Sequence, residues 1–91
     1  MNLIEIKQAL RNGKYAWPGG YPLYFVTSDG AALSFEAVRQ EWRQIVWSHL
    51  HNLTSSGWYI DGVDINWENN NLYCDHTGQK IESAYGEDES D

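Results

Sequence analysis

Cysteine, proline and basic residues are scarce in this 91-residue chain, and long apolar runs are lacking. A single cysteine, Cys74, excludes an intramolecular disulfide and any metal site built on several cysteines. Secreted domains of this size usually need disulfides, so a reducing compartment is expected. No run approaches the roughly 20 apolar residues that span a bilayer, and the first residues do not form the apolar stretch of a secretory signal. We therefore expect a cytoplasmic protein with no membrane partner.

The shortage of bases is concentrated in one part of the chain. Six Lys and Arg stand against 13 Asp and Glu, for a formal net charge of −7. Residues 1–60 hold five bases and four acids, whereas residues 61–91 hold nine acids and one base, Lys80. The whole imbalance therefore belongs to the last third. Such a field repels nucleic acid and attracts basic proteins.

Apolar residues are plentiful, at 42% of the chain, and they include five Trp and six Tyr. A chain of this length makes one domain. We predict a single α+β domain over residues 1–85. Residues 86–91 have too little apolar content to pack and are expected to form a flexible acidic tail.

The first half of the chain predicts two helices with a hairpin between them. Asn2 followed by Glu5 is the pattern of a capping box, which predicts a helix over about residues 3–11. Residues 23–27 and 31–35 are expected to be strands on either side of a Ser-Asp-Gly turn at 28–30. Ser34 is then placed to cap one long helix over about residues 35–52, whose apolar residues recur at helical spacing.

The second half predicts strands. Residues 58–67 alternate as strands do, and Asp61-Gly62 interrupts the alternation as a bulge would. Residues 72–74 and 80–82 are expected to form a last short hairpin. The result is an α+β fold in which a small antiparallel sheet of about four to five short strands packs against the long helix, together with the N-terminal helix.

The spacing of the candidate chemical groups is unfavourable for catalysis and for metal binding. Cys74 and His76 would lie about 6.8 Å apart along a strand, whereas a nucleophile and its base must approach to about 2.6–3.2 Å. His49 and His51 are two residues apart on the predicted helix, so their side chains do not face each other. Two metal ligands on a helix would have to be about four residues apart. We therefore predict no enzymatic activity, no catalytic residue, no bound metal and no cofactor. An enzyme built on Cys74 and His76 is kept as a minor alternative.

Aromatic residues outnumber the inward-facing positions that the predicted elements provide. Exposed Trp and Tyr beside acids are typical of protein interfaces. We therefore predict a partner-binding surface that combines acids of the last third with surplus aromatics: Asp61, Asp64, Glu68, Asp75, Glu82, Glu87, Trp17, Tyr21, Trp67 and Tyr85.

Three segments carry a resemblance to known proteins: Ala-Trp-Pro-Gly-Gly-Tyr-Pro at 16–22, Asn-Trp-Glu at 66–68, and the stretch 74–85. They resemble a group of short, mostly uncharacterised accessory proteins of bacteriophages, prophages and plasmids. Many members have C-x-x-C where this chain has residues 34–37, and again where it has residues 74–77. Two such pairs would form a zinc-ribbon-like site. Because Ser34, Ala37 and Thr77 stand at three of the four positions, the resemblance implies a degenerate site that has lost its metal.

The resemblance also implies a function. Small accessory proteins of phages often inhibit host machinery or host defence, as anti-CRISPR and anti-restriction proteins do, and acidic ones can act as DNA mimics. With the charge distribution, this favours a non-catalytic protein-binding module in the cytoplasm of a host bacterium. It would present an acidic surface to a basic host protein, such as a nucleic-acid-binding complex, and would not bind nucleic acid directly.

The alternative hypothesis is a nucleic-acid-associated, degenerate zinc-ribbon adaptor. It would bind through the basic face of the long helix together with bases near the N-terminus: Arg39, Arg43, Lys7, Arg11 and Lys14. The oligomeric state is left open by the sequence, and a homodimer through exposed aromatics is compatible with either hypothesis.

Overall fold

The computed structural model describes residues 1–16, 20–67 and 71–83. The elements follow in the order α1 (Leu3–Asn12), β1 (Tyr15–Ala16), β2 (Tyr21–Thr27), β3 (Ala32–Leu33), α2 (Phe35–Gln40), α3 (Trp42–Leu50) and β4 (Ile60–Ile65). The predicted α+β class is confirmed. The predicted boundary between a domain and an acidic tail, at residues 85 and 86, lies outside the described residues.

The sheet has three antiparallel strands, with β2 between β3 and β4. β1 adds only two residues, which pair with the first two residues of β2. The prediction of four to five strands is therefore wrong. In the last hairpin, the turn occupies residues 75–78, so each arm of the hairpin is only a few residues long. Its arms join through one isolated bridge, Tyr73 with Lys80, and do not become strands.

The predicted bulge in β4 is confirmed. Gly62 pairs with Val26 and Ile60 pairs with Thr27, so Asp61 is an extra residue between two consecutive positions of β2. A bulge of this kind bends the strand and leaves the extra residue without a partner across the sheet.

Local capping signals are also confirmed. The Asn2 side chain accepts a hydrogen bond from the Glu5 N–H at 2.8 Å, and the Glu5 carboxylate accepts one from the Asn2 N–H at 3.0 Å. At the start of α2, Ser34 Oγ accepts a hydrogen bond from the Ala37 N–H at 3.1 Å. Each contact satisfies an N–H that has no partner within the helix.

The prediction of one long helix is wrong, because the backbone bends at Glu41. Its φ of −108° and ψ of 32° leave the helical region. The bend separates α2, which buries Phe35 and Val38, from α3, which buries Ile45. Both helices thereby contribute to one core over a small sheet, whereas a straight helix of that length would carry one of these faces away from the core.

The core takes buried residues from the three helices and from β2, β3 and β4, and the rings of Phe25 and Phe35 meet in it with centroids 4.5 Å apart. The last hairpin belongs to the same core through Cys74 and Ile81. Among the described residues, no helix has the length and apolar character needed to cross a membrane. The buried core residues are Ile6, Phe25, Leu33, Phe35, Ala37, Val38, Ile45, Ile60, Cys74 and Ile81.

Candidate partner-binding surface

The acids of the last third that the structure describes are exposed: Asp61, Asp64, Asp75 and Glu82. None of the four forms an ion pair with a described residue. Asp64 Oδ1 accepts a hydrogen bond from the N–H of Ile65 at 2.8 Å, and Glu82 Oε1 accepts one from the Tyr15 hydroxyl at 2.6 Å. Both donors are neutral, so neither contact is an ion pair.

The contact between Tyr15 and Glu82 joins β1 to the last hairpin. This hydrogen bond raises the pKa of Tyr15 above its ordinary value, with smaller contributions from burial and from the nearby negative charges. The phenol therefore remains the donor at neutral pH. It orients the Glu82 carboxylate without neutralising it.

The acids of residues 1–60 are used within the fold, and two of them satisfy backbone groups. Glu5 completes the capping box of α1. Asp29, in the turn between β2 and β3, accepts hydrogen bonds from the Thr27 hydroxyl and, at 3.4 Å, from the Ala31 N–H. Both carboxylates hold a turn of backbone in place.

The other two acids of that region face cationic or basic side chains. Glu36 lies 3.4 Å from the Lys14 ammonium, and Glu41 lies 3.4 Å from the His76 imidazole. A hydrogen bond from its own backbone N–H holds the pKa of Glu36 below its ordinary value; burial opposes this effect, and the Lys14 charge adds to it. Every acid in residues 1–60 thus has a partner.

The four exposed acids of the last third do not form one patch. Asp61 lies where β4 begins, and Trp67 follows the other end of that strand, about 20 Å away at roughly 3.3 Å per residue. Asp75 lies beside β3, where its N–H donates to the carbonyl of Ala32 at 2.8 Å. The central strand β2 lies between β3 and β4 and so separates Asp75 from the two acids of β4. The acids therefore present a broad negative surface and no single anionic pocket.

Two of the predicted aromatics are brought together. The rings of Tyr21 and Trp67 have centroids 4.8 Å apart and are tilted by 54°. The contact follows from the register, because Leu23 pairs with Ile65 and the next positions outward on the same face are 21 and 67. Trp67 stays 46% exposed, which leaves much of its ring available at the surface.

Glu82 lies at the same end of the sheet. The buried Asn66 side chain donates from Nδ2 to the carbonyls of Ile81 and Glu82, at 3.3 and 3.0 Å. We call this region, defined by Tyr21, Asn66, Trp67 and Glu82, the Tyr21–Trp67 end. The remaining predicted site residues, Trp17, Glu68, Tyr85 and Glu87, lie outside the described residues.

Sequence reasoning missed an exposed apolar pair on α3. Trp47 is 59% exposed and Leu50 is 69% exposed, and the Trp47 ring contacts His51 with centroids 4.0 Å apart. The signal was present in the sequence, because positions 47 and 50 are three residues apart and lie together on a helix. They face away from the buried Ile45.

The basic residues of the alternative hypothesis are partly committed to the fold. Arg39 Nη2 donates to the carbonyl of Leu10 at 2.8 Å, where it satisfies one of the last carbonyls of α1. Lys14 pairs with Glu36. Arg39 thus joins α2 to α1, and Lys14 joins the residues after α1 to α2, which reduces the availability of both cations for phosphate groups.

The resemblance compares positions 34, 37, 74 and 77 with zinc ligands, and three of them, Ser34, Cys74 and Thr77, lie in contact. Cys74 Sγ accepts hydrogen bonds from the N–H groups of Ser34, at 3.3 Å, and Thr77, at 3.5 Å. Ala37, the fourth position, donates its N–H to Ser34. Burial raises the pKa of the Cys74 thiol, but the hydrogen bonds from Thr77 and Ser34 outweigh it and leave the pKa below its ordinary value.

His76 contacts other residues. Besides Glu41, its ring meets the ring of Trp58 edge-on, with centroids 5.0 Å apart. Within the part of the chain that the structure describes, no group of three or more His, Cys, Asp or Glu side chains is arranged to hold a metal ion. Comparison of the chain with protein-family models, with curated proteins and with solved structures found no match.

Proposed function

We propose that this protein is a non-catalytic protein-binding module that presents an acidic surface to a basic partner. The observation that carries the proposal is the state of the four described acids of the last third, which are exposed and form no ion pair with a described residue. Exposed carboxylates that form no ion pair leave a negative potential around the protein. Such a potential steers a positively charged partner into contact and repels nucleic acid.

The Tyr21–Trp67 end is the part of this surface on which we expect the contact to centre. Electrostatic steering by itself supplies little affinity, which comes mainly from a few buried anchors, often Trp or Tyr. The half-exposed Trp67 ring is held by Tyr21, so that little freedom is lost on binding. An Arg or Lys of the partner can lie over such a ring.

The resemblance to accessory proteins of phages and plasmids supports one kind of partner. A basic host protein that binds nucleic acid has a surface built to receive negative charge. An acidic module can occupy that surface and compete with the nucleic acid. The proposed role is therefore inhibition of host machinery or defence in the bacterial cytoplasm.

The test compares the described acids of the last third with the acids of residues 1–60. Host proteins that co-purify with the chain would be identified by mass spectrometry, and affinity for the main one would be measured at several salt concentrations. One variant carries D61N, D64N, D75N and E82Q. The matched variant carries E5Q, D29N, E36Q and E41Q, which changes the net charge equally.

We expect the first variant to bind at least about tenfold more weakly, because each removed surface charge weakens steering, and to lose much of the salt dependence. The matched variant, measured under conditions in which it is folded, should bind the partner with higher affinity than the first variant. Equal losses in the two variants, or binding that does not respond to salt, would contradict the proposal. Direct binding of duplex DNA at low salt would favour the basic-face alternative instead.

A further inference from the structure

The end of α3 is joined to the start of β4 by one histidine side chain. His49 Nε2 accepts a hydrogen bond from the N–H of Ile60 at 2.9 Å. The imidazole also stacks on the ring of Tyr59, with centroids 4.2 Å apart and an angle of 12° between the planes. Ile60 is fully buried in the core, so this N–H depends on a partner within the protein.

Only a neutral imidazole can make this hydrogen bond. An accepting Nε2 carries no proton, which places the single ring proton on Nδ1. In the protonated ring both nitrogens are donors, so the ring can no longer accept from Ile60. Protonation would leave the Ile60 N–H buried without an acceptor, and that costs more than the bond itself contributes.

The charged and titratable groups around His49 come from α1 and from the segment before β4. Met1, Glu5 and Tyr59 line the same groove as the imidazole. The Met1 amino group donates to the carbonyl of Asp61 at 3.3 Å, and the Glu5 carboxylate is held by the Asn2 N–H. Burial, followed by the positive charge of the Met1 amino group, lowers the pKa of His49 below its ordinary value of 6.5.

Besides the His49 contact, the start of β4 is held by the pairing of Ile60 with Thr27, by the burial of Ile60 and by the hydrogen bond from the Met1 amino group to the Asp61 carbonyl. The strand is irregular there because of the bulge at Asp61, and the preceding Tyr59 is held across the turn by a hydrogen bond from the Ser28 N–H to its carbonyl at 2.9 Å. Regions with few backbone hydrogen bonds open locally before the whole protein unfolds. The His49 contact is the hydrogen bond that joins the start of β4 to α3, so its loss weakens the attachment of this segment.

We propose that His49 is an acid-sensitive contact, whose protonation releases the start of β4 from α3 while the rest of the core stays folded. The direction of the pH dependence follows from the lowered pKa of His49. A histidine that is harder to protonate in the folded state stabilises the fold fully above its ordinary pKa of 6.5, and this stabilisation is lost as the pH falls through the lower, folded value. Mildly acidic conditions should therefore open this segment.

The test is hydrogen exchange of the Ile60 amide between about pH 7.5 and pH 5, corrected for the intrinsic pH dependence of exchange, with the His49 ring nitrogens followed by NMR. We expect protection of Ile60 to fall about tenfold or more as His49 protonates, which is the factor that loss of a hydrogen bond of ordinary strength produces. The transition should lie below pH 6.5, the ordinary value for histidine. The Leu23 amide, which donates to the carbonyl of Lys14 at 2.9 Å, should keep its protection.

H49Q should abolish the transition, whereas H51Q and H76Q should retain it. Protection of Ile60 that is unchanged while His49 titrates would overturn the proposal, as would a transition that disappears in H76Q. If H49Q does not fold, the NMR signals of the His49 ring nitrogens in the wild-type protein still test the proposal. Signals of a neutral ring protonated on Nδ1 support the contact, and a proton on Nε2 would overturn it.

Discussion

Residues 1–60 and residues 61–83 use their carboxylates differently. In the first region each acid caps backbone groups or faces Lys14 or His76. In the second region the described acids are exposed, and their hydrogen-bond donors are neutral. The acids of the first region are therefore all engaged in local contacts, whereas none of the described acids of the second region forms an ion pair with a described residue.

The difference has a simple electrostatic cause. Five bases lie in residues 1–60, whereas Lys80 is the only base in residues 61–91. The four described acids of the last third accordingly form no ion pair with a described base. An exposed carboxylate remains well solvated and carries almost no cost for folding, so these groups do not need a cation from the protein itself.

The largest expected effect concerns the corner where the two regions meet, at Cys74. If the resemblance is correct, the variant S34C/A37C/T77C should restore four thiolates around one point and bind zinc with tetrahedral geometry. At a zinc concentration about a thousandfold above the dissociation constant, the free energy of unfolding should rise by about 4 kcal/mol. Zinc titration, the absorption of the cobalt form and thermal unfolding would measure it.

The control for this variant adds C74S and removes one of the four thiolates. Tight binding by the four-cysteine protein and weak binding by the control are expected. Failure of the folded four-cysteine variant to bind stoichiometric zinc would refute the link with zinc-ribbon-like proteins. The proposal of an acidic binding surface would be unaffected by that outcome.

An intermediate effect is expected at the Tyr21–Trp67 end. W67A should weaken binding of the basic partner by about 30-fold, the loss of about 2 kcal/mol that is usual for a buried aromatic anchor. W47A removes an equally large, exposed ring from α3 and should change the affinity little. Calorimetric titration of both variants, with circular dichroism to verify folding, would measure this. If W47A lost more affinity than W67A, this would indicate that the partner binds at α3.

The smallest effect tests the comparison of the two regions directly. D29A should lower the free energy of unfolding by about 1 kcal/mol, because the turn loses its hydrogen-bond acceptor. D75A should change it by less than about 0.5 kcal/mol, as is usual for an exposed side chain without such contacts. Urea unfolding monitored by tryptophan fluorescence would give both values. Equal destabilisation would show that the acids of the last third also support the fold.

Several features could be predicted from the sequence because they depend on neighbours in the chain. The capping box of Asn2 and Glu5, the cap at Ser34 and the turn at residues 28–30 each need only a few consecutive residues. The bulge at Asp61 belongs to this group too, because a break in alternation is visible in one strand. The uneven distribution of charge is likewise a property of the sequence.

Features that join distant parts of the chain could not be predicted in this way. The bend at Glu41 exists because both helices must reach the same core, which is a property of the assembled layers. The position of Trp67 against Tyr21 depends on the register between β2 and β4. Which acids find a partner also depends on such contacts, as Tyr15 with Glu82 and Glu41 with His76 show.

The sequence by itself determined the α+β class, the starts of α1 and α2, the bulge and the excess of acids in the last third. Only the tertiary structure decided which of those acids remain exposed, which aromatics meet at one end of the sheet, and that His49 holds the start of β4. The physical reason is the distance along the chain over which each interaction acts. Caps and turns are settled within a few bonds, whereas burial, register and charge pairing depend on residues that come together only when the core forms.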